Sequence, residues 1–224
     1  MKNRFIAATV FNCGIFVLTL FSIISTIVGF QFMDNTTWEF SASNLAAFRY
    51  FTVDSNILAG IVALVYLVYS VRQKKNTLPR WLSFLKLAAT TGVTLTMMVT
   101  VCFLAPVSDR GFFALFKNSN LFLHFLIPVL CIVSFIFFEP VEKQLRFSHT
   151  LIGILPMFIY SIYYTTNVLL HLENGKPTFQ YDLYGFLGGK LSNIWFVMPA
   201  IYLITWLFSL GLWFGNKKIV SKSN

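Results

Sequence analysis

Apolar residues in this chain run on rather than alternate. Six stretches, residues 5–31, 44–71, 81–104, 119–138, 148–171 and 193–214, are dominated by aliphatic and aromatic side chains. Crossing a hydrocarbon core takes about 20 helical residues, and each run supplies roughly that length. A helix that is apolar all round has no face for water and belongs in a large core or a bilayer. The pattern predicts an all-α polytopic membrane protein: six transmembrane helices in a single transmembrane domain over residues 1–224.

The residues between the runs orient the bundle. Lys2 and Arg4 precede the first run. Arg72, Lys74, Lys75 and Arg80 join the second to the third, with Lys86 just inside the third. Lys143 and Arg146 follow the fourth, and Lys217, Lys218 and Lys222 follow the sixth. With six spans these groups all fall on one side, and Lys/Arg excess marks the cytoplasmic side. Both termini are therefore expected inside. The other side carries Arg49, Arg110, Lys117, Lys176 and Lys190, mixed with Asp34, Glu39, Asp109, Glu173 and Asp182. No soluble domain, internal repeat or low-complexity linker interrupts the series. Asn35-Thr36-Thr37 forms a glycosylation sequon on the outer side, meaningful only in a secretory pathway.

Composition agrees. The chain is 57% hydrophobic and 11% charged, with mean hydropathy +0.71; an ordinary globular protein is about 25% charged. The net charge of +9 sits at the connections rather than in one basic domain, which argues against nucleic-acid binding. Cys13, Cys102 and Cys131 are isolated within apolar runs and read as packing residues. The first run is too long for a signal-peptide core and ends in no small-residue cleavage site, so it reads as the first span.

Two outer connections are less polar than plain loops. Residues 111–116, "GFFALF", lie just before the fourth run, and residues 178–189, "TFQYDLYGFLGG", alternate aromatic and polar side chains. The second segment reads either as an aromatic belt at the membrane interface or as a lid over an outward-facing lipid site.

Candidate chemistry begins at "RYFTVDSNILAG", residues 49–60. At about 100° per residue, Thr52 shares a helical face with Phe48, Asn56, Ala59, Ala63 and Tyr66, flanked by Arg49 and Ser55. Small residues on one face let membrane helices approach closely, so this face points into the bundle. Asp54 lies roughly opposite. In the fourth run His124 follows Asn120 by one turn and precedes Pro128 by one turn. An ionisable residue inside a span is a functional candidate, and Pro128 crowds the carbonyl of His124 and favours a kink there.

Thr52 falls about eight residues into its run and His124 about five, so at about 1.5 Å per residue their depths differ by only about 5 Å. A hydroxyl and an imidazole at one level suggest a nucleophile and a general base for ester cleavage. Asn56 or Asn120 could orient the ring or donate to an oxyanion, and Arg49 could meet a substrate carboxylate. His171 is expected at the outer interface; His149 lies at the cytoplasmic end, too far away in depth.

"YFTVDSNIL" followed by an intramembrane "HFLIP" resembles the androgen-induced protein family of small six-span membrane proteins, whose animal members hydrolyse fatty acid esters of hydroxy fatty acids. The likeness is nearest to that family's bacterial branch, in which F-T-x-x-S-N, H-x-x-x-P and a Tyr-rich segment after the fifth span recur; "YDLYGFL" is similar to the last. The resemblance implies Thr52 as nucleophile and His124 as its catalytic partner. One departure is Ser134, where many bacterial relatives carry an acidic residue. The resemblance implies a lipid or fatty-acyl ester as substrate and the plasma membrane as location. No cofactor is expected: H-E-x-x-H, carboxylate–histidine clusters with metal spacing, and nucleotide motifs are all missing from the sequence. A transporter, or a lipid-binding or structural membrane protein without chemistry, fits the same six spans. Arg49 and Asp54 favour transport; the lack of paired broken helices or internal symmetry argues against it.

Overall fold

The computed structural model describes residues 2–33, 41–73, 77–141 and 144–220. Among the described residues six helices are long and apolar enough to cross a membrane: α1 (Asn3–Val28), α2 (Phe51–Gln73), α3 (Arg80–Val107), α4 (Ser119–Phe138), α5 (Phe147–Leu170) and α6 (Leu191–Ile219). The chain is an all-α integral membrane protein, as the apolar pattern predicts. The sequon at residues 35–37 lies outside the described residues, as do Asp34, Glu39, Lys74, Lys75, Lys143 and Lys222.

One boundary differs in a way that matters. The second span begins at Phe51 rather than residue 44. Asn44–Arg49 forms a separate 3-10 turn, and Tyr50 is extended (φ −104°, ψ 130°), which breaks the two apart. The first turn of a helix has N–H groups that need outside partners. No Ser, Thr, Asn or Asp stands just before Phe51 to provide one. The partner comes from far along the chain: the Phe51 N–H donates to the Tyr184 hydroxyl at 2.9 Å.

Helix α3 is the centre of the bundle. It packs on α2, α4, α5 and α6, and 67% of its apolar window is buried, against 17% for α6. Its sequence explains the position. Residues 87–96 are small, hydroxylated or aliphatic, and all are buried. Thr91 and Thr94 donate to the carbonyls four residues back, Leu87 and Thr90, both at 2.7 Å. These hydroxyls are satisfied within the helix and leave its surface smooth. Close approach also needs glycine: a Cβ on Gly153 of α5 would stand 2.6 Å from Ser209 Cβ and 2.9 Å from Thr91 Oγ1, and one on Gly60 of α2 would stand 2.7 Å from Thr19 Cγ2 of α1.

Helices α3 and α4 are not regular throughout. Thr100–Leu104, Phe122–Leu126 and Ser134–Phe138 are π-helical turns. Each is followed two residues later by a proline: Pro106, Pro128 and Pro140. A proline lacks the N–H that the preceding turn would use, and the ladder slips by one residue just before it. At the second slip the Ile127 N–H bonds the Phe122 carbonyl.

Alternating helix directions bring the starts of α1, α3 and α5 and the ends of α2, α4 and α6 together. Arg4, Arg72, Arg80, Arg146, Lys217 and Lys218 all lie toward this basic end. Inside it is a buried polar cluster. Lys86 Nζ of α3 pairs with Glu139 Oε1 at 2.8 Å, and both side chains are almost fully buried. Lys86 also donates to Asn12 Oδ1 at 2.6 Å. Asn12 Nδ2 and Ser134 Oγ donate to the same Glu139 oxygen at 2.8 and 2.7 Å. The carboxylate at this level comes from Glu139, and Ser134 is one of its hydrogen-bond donors. Lys86, expected only as a topology signal, is a structural cation.

Candidate functional site

At the opposite end, connections fold over the helices. The segment between α5 and α6, residues 171–190, is one of them. His171 stacks on Tyr181 with ring centroids 3.9 Å apart, and the Arg49 guanidinium lies over the same ring at 5.6 Å. Arg49 Nη2 donates to the Gln180 carbonyl at 2.9 Å. Tyr164 of α5 donates to Asp182 Oδ1, and Asp182 Oδ2 accepts the Leu187 N–H at 3.0 Å. Asn193, at the start of α6, donates to the Leu187 carbonyl at 2.9 Å. Tyr184 and Phe186 form part of the wall of a cavity beneath, while Phe179 stays exposed.

That cavity is small and partly open, about 50 Å³ between α2, α3, α5 and α6. Leu95, Val99, Met157, Met198 and Ile201 make its wall apolar, and Thr52, Thr96, Thr100, Tyr160 and Tyr184 add hydroxyls. The lining has the chemistry of a lipid site, apolar with a few hydroxyls, and an acyl chain would have to widen it on entry.

Thr52 is the second residue of α2 and opens into this cavity. Tyr184 and Tyr160 line the same wall. Tyr160 donates to the Arg49 carbonyl at 2.8 Å. Burial pushes the Tyr184 phenol well above its ordinary pKa, so it stays protonated.

His124 is buried on α4, in the middle of the Phe122–Leu126 π turn. Its Nδ1 is 2.9 Å from the Leu115 carbonyl. A carbonyl can only accept, so Nδ1 carries the proton, and the neutral ring presents its lone pair at Nε2. Phe116 stands edge-on to the imidazole, centroids 6.4 Å apart. The "GFFALF" loop, a 3-10 turn over Phe112–Phe116, is therefore what orients His124.

Neither candidate asparagine does so. Asn56 Nδ2 donates to the Thr52 carbonyl at 2.7 Å and to the Leu123 carbonyl at 3.0 Å. Leu123 is free to accept because the ladder has slipped and the residue five on, Pro128, has no N–H. Asn120 Nδ2 donates to Ser41 Oγ at 3.4 Å. Arg49, expected beside a carboxylate, is engaged by Gln180 and Tyr181.

No family model, curated protein or solved structure matches this chain. The resemblance noted above rests on its motifs alone.

The structure brings Thr52 and His124 to adjacent helices, bridged by one amide, but among the described residues no hydrogen bond joins them. Because α2 starts late, Thr52 is its second residue while His124 is the sixth of α4. At about 1.5 Å per residue, His124 stands about 6 Å further from the start of its helix than Thr52 does. Asp54 points elsewhere: with Phe48, Leu58, Pro156, Ile159 and Tyr163 it lines a lateral groove between α2 and α5. Sequence reading missed the hydroxyls of Tyr160, Tyr184, Thr96 and Thr100. The hydroxylated third run and the Tyr-rich segment held the signal.

Proposed function

We propose that this chain is a membrane-embedded hydrolase of long-chain acyl esters, with Thr52 as nucleophile and His124 as general base. The observation that carries the reading is Thr52 itself: it lines a small apolar cavity of about 50 Å³, on a turn tied by Asn56 to the turn that holds His124. The charge asymmetry supports an outward-facing cavity at the plasma membrane. A fatty acid ester of a hydroxy fatty acid has the chemistry such a site would take: aliphatic chains for the wall and an ester for the hydroxyl.

The steps balance as follows. The Thr52 oxygen attacks the ester carbonyl carbon and His124 Nε2 takes the hydroxyl proton. The tetrahedral intermediate collapses, the ester C–O bond breaks, and the alcohol leaves with that proton. Water then attacks the acyl-Thr52 ester and gives a proton to Nε2. The Thr52 oxygen departs, recovers the proton, and the fatty acid is released. Catalytic hydrogen bonds are often unformed in a substrate-free enzyme and close only with substrate bound.

A second reading, a lipid-binding protein without chemistry, is favoured by one observation: Thr52 lines the cavity and His124 does not, its ring being held by the Leu115 carbonyl. The test is hydrolysis of a branched fatty acid ester by purified protein in detergent, with Thr52→Ala and His124→Ala alongside. Wild-type turnover lost in both variants supports the hydrolase. Turnover persisting in both removes the assignment, and binding without turnover supports the second reading.

A further inference from the structure

We propose that the lateral groove between α2 and α5 is a binding site for a single-chain lipid with a protonated primary amine, its ammonium on Asp54. The groove holds about 320 Å³. Two of its lining residues, Ile159 and Tyr163, are exposed on the outside of the bundle, so it opens to lipid. Among the described residues that line it, Asp54 alone is charged. A carboxylate in apolar surroundings needs a counter-charge or a full set of donors. Among the described residues, neither an ion pair nor a hydrogen bond reaches the Asp54 side chain. The nearest cation along the chain, Arg49, is spent on the Gln180 carbonyl at 2.9 Å and on the Tyr181 ring. A place in the first turn of α2 gives the carboxylate only the fraction of a charge that a helix N-terminus carries. A ligand cation completes the balance.

The lining selects the class of ligand. Phe48, Phe51, Tyr160 and Tyr163 bring aromatic rings into the same groove, and an ammonium is attracted to such faces as well as to a carboxylate. A primary ammonium also brings N–H donors, which a quaternary one lacks. Leu58 stands one turn further along α2 than Asp54, and with Pro156 and Ile159 it offers aliphatic surface for a chain. The buried hydroxyls of the groove are already used. Ser55 Oγ donates to the Thr52 carbonyl at 3.2 Å and meets Thr96 Oγ1 at 3.0 Å. Tyr160 donates to the Arg49 carbonyl at 2.8 Å. A phosphate would find neither a cation nor a buried donor here, which favours a net cationic lipid over a zwitterionic or anionic one. The site does not depend on the hydrolase reading.

The experiment is native mass spectrometry of the full chain in detergent with dodecylamine, for wild type, Asp54→Asn and Asp54→Glu, each checked for its unfolding midpoint. The expected result is one retained amine per chain in wild type, with dodecanol and dodecanoic acid not retained at the same concentration. Asp54→Asn should weaken retention by at least about tenfold, the scale of one lost charge-assisted hydrogen bond, and Asp54→Glu should keep most of it. Equal retention by wild type and Asp54→Asn, or dodecanol held as well as the amine, overturns the site. Displacement of the amine by an equal concentration of phosphatidylethanolamine overturns the choice of a net cationic lipid. If Asp54→Asn does not fold, Ile159→Trp keeps the carboxylate and fills the groove from the exposed face of α5. Loss of the amine in that variant is then expected, and unchanged retention overturns the site.

Discussion

The buried pair at the basic end yields the most quantitative expectation. Replacing Lys86 by Met keeps an aliphatic side chain of similar reach and removes the charge. Glu139 then stays in place with its Ser134 and Asn12 donors at 2.7 and 2.8 Å but without its cation at 2.8 Å. Breaking a buried pair from one side costs about 3–5 kcal/mol, because an uncompensated charge remains. The pair is deep enough for that figure, with exposures of 4% and 0% for the two side chains. For a chain of this size 1 kcal/mol moves Tm by about 2–4 °C. Lys86→Met should therefore lower the unfolding midpoint by roughly 6–20 °C. Glu139→Gln should do likewise, stranding the ammonium. Removing both charges together, Lys86→Met with Glu139→Gln, should recover much of the loss, since a neutral replacement of a buried pair is often close to neutral in stability. The assay is thermal unfolding in detergent followed by tryptophan fluorescence. Single variants within about 2 °C of wild type, or a double variant as unstable as the sum of the singles, would refute the reasoning that this pair holds α1, α3 and α4 together.

Three further outcomes follow from packing and hydrogen bonding. Gly153→Ala places a methyl against Ser209 Cβ at 2.6 Å and Thr91 Oγ1 at 2.9 Å and should destabilise by about 1–3 kcal/mol, read as a lower unfolding midpoint. Asn56→Leu removes the bridge between the Thr52 and Leu123 carbonyls and should lower stability by about 1–3 kcal/mol while reducing ester hydrolysis; activity retained at the wild-type level would separate the bridge from the site. Tyr164→Phe takes the donor from buried Asp182 and should speed amide exchange and proteolysis within residues 178–190, with α1 and α4 unaffected.

The six spans were legible because membrane helices announce themselves by length and hydropathy, and no tertiary contact is needed to find them. Their inner architecture was less so. The start of α2 was misplaced because the apolar run Leu45–Phe48 leads into it, while the turn at Phe51 takes its partner from a phenol more than a hundred residues away. That one displacement alters the depth comparison between Thr52 and His124. Helix periodicity placed Asn56 on the inward face, but its two acceptors are backbone carbonyls, one of which is free only because of a ladder slip before Pro128. The proline was visible in the sequence; the π turn it provokes was not. Lys86 and Glu139 are each readable as interfacial charges. Their pairing depends on α1, α3 and α4 converging at one level, which no local pattern encodes.

Asp54 shows how the same face argument works in the other direction. The helical wheel set it opposite Thr52, and the structure agrees: Thr52 opens into the cavity while Asp54 lines the lateral groove between α2 and α5. Among the described residues no ion pair neutralises it. The two spaces nonetheless share walls, since Phe51 and Tyr160 line both and their rings stand 5.3 Å apart. One aromatic pair is thus the partition between a groove open to the bilayer and the cavity that holds Thr52. The polar groups of residues 49–56 are arranged around that partition. Arg49 holds the 171–190 segment above it, Thr52 lies on its inner side, Asp54 on its outer side, and Ser55 fastens α2 to Thr96 of α3 at 3.0 Å below it. A stretch so polar at the mouth of a span is accounted for by this division: only the Asp54 side faces lipid, and it does so near the helix end, where a carboxylate costs less than at mid-bilayer.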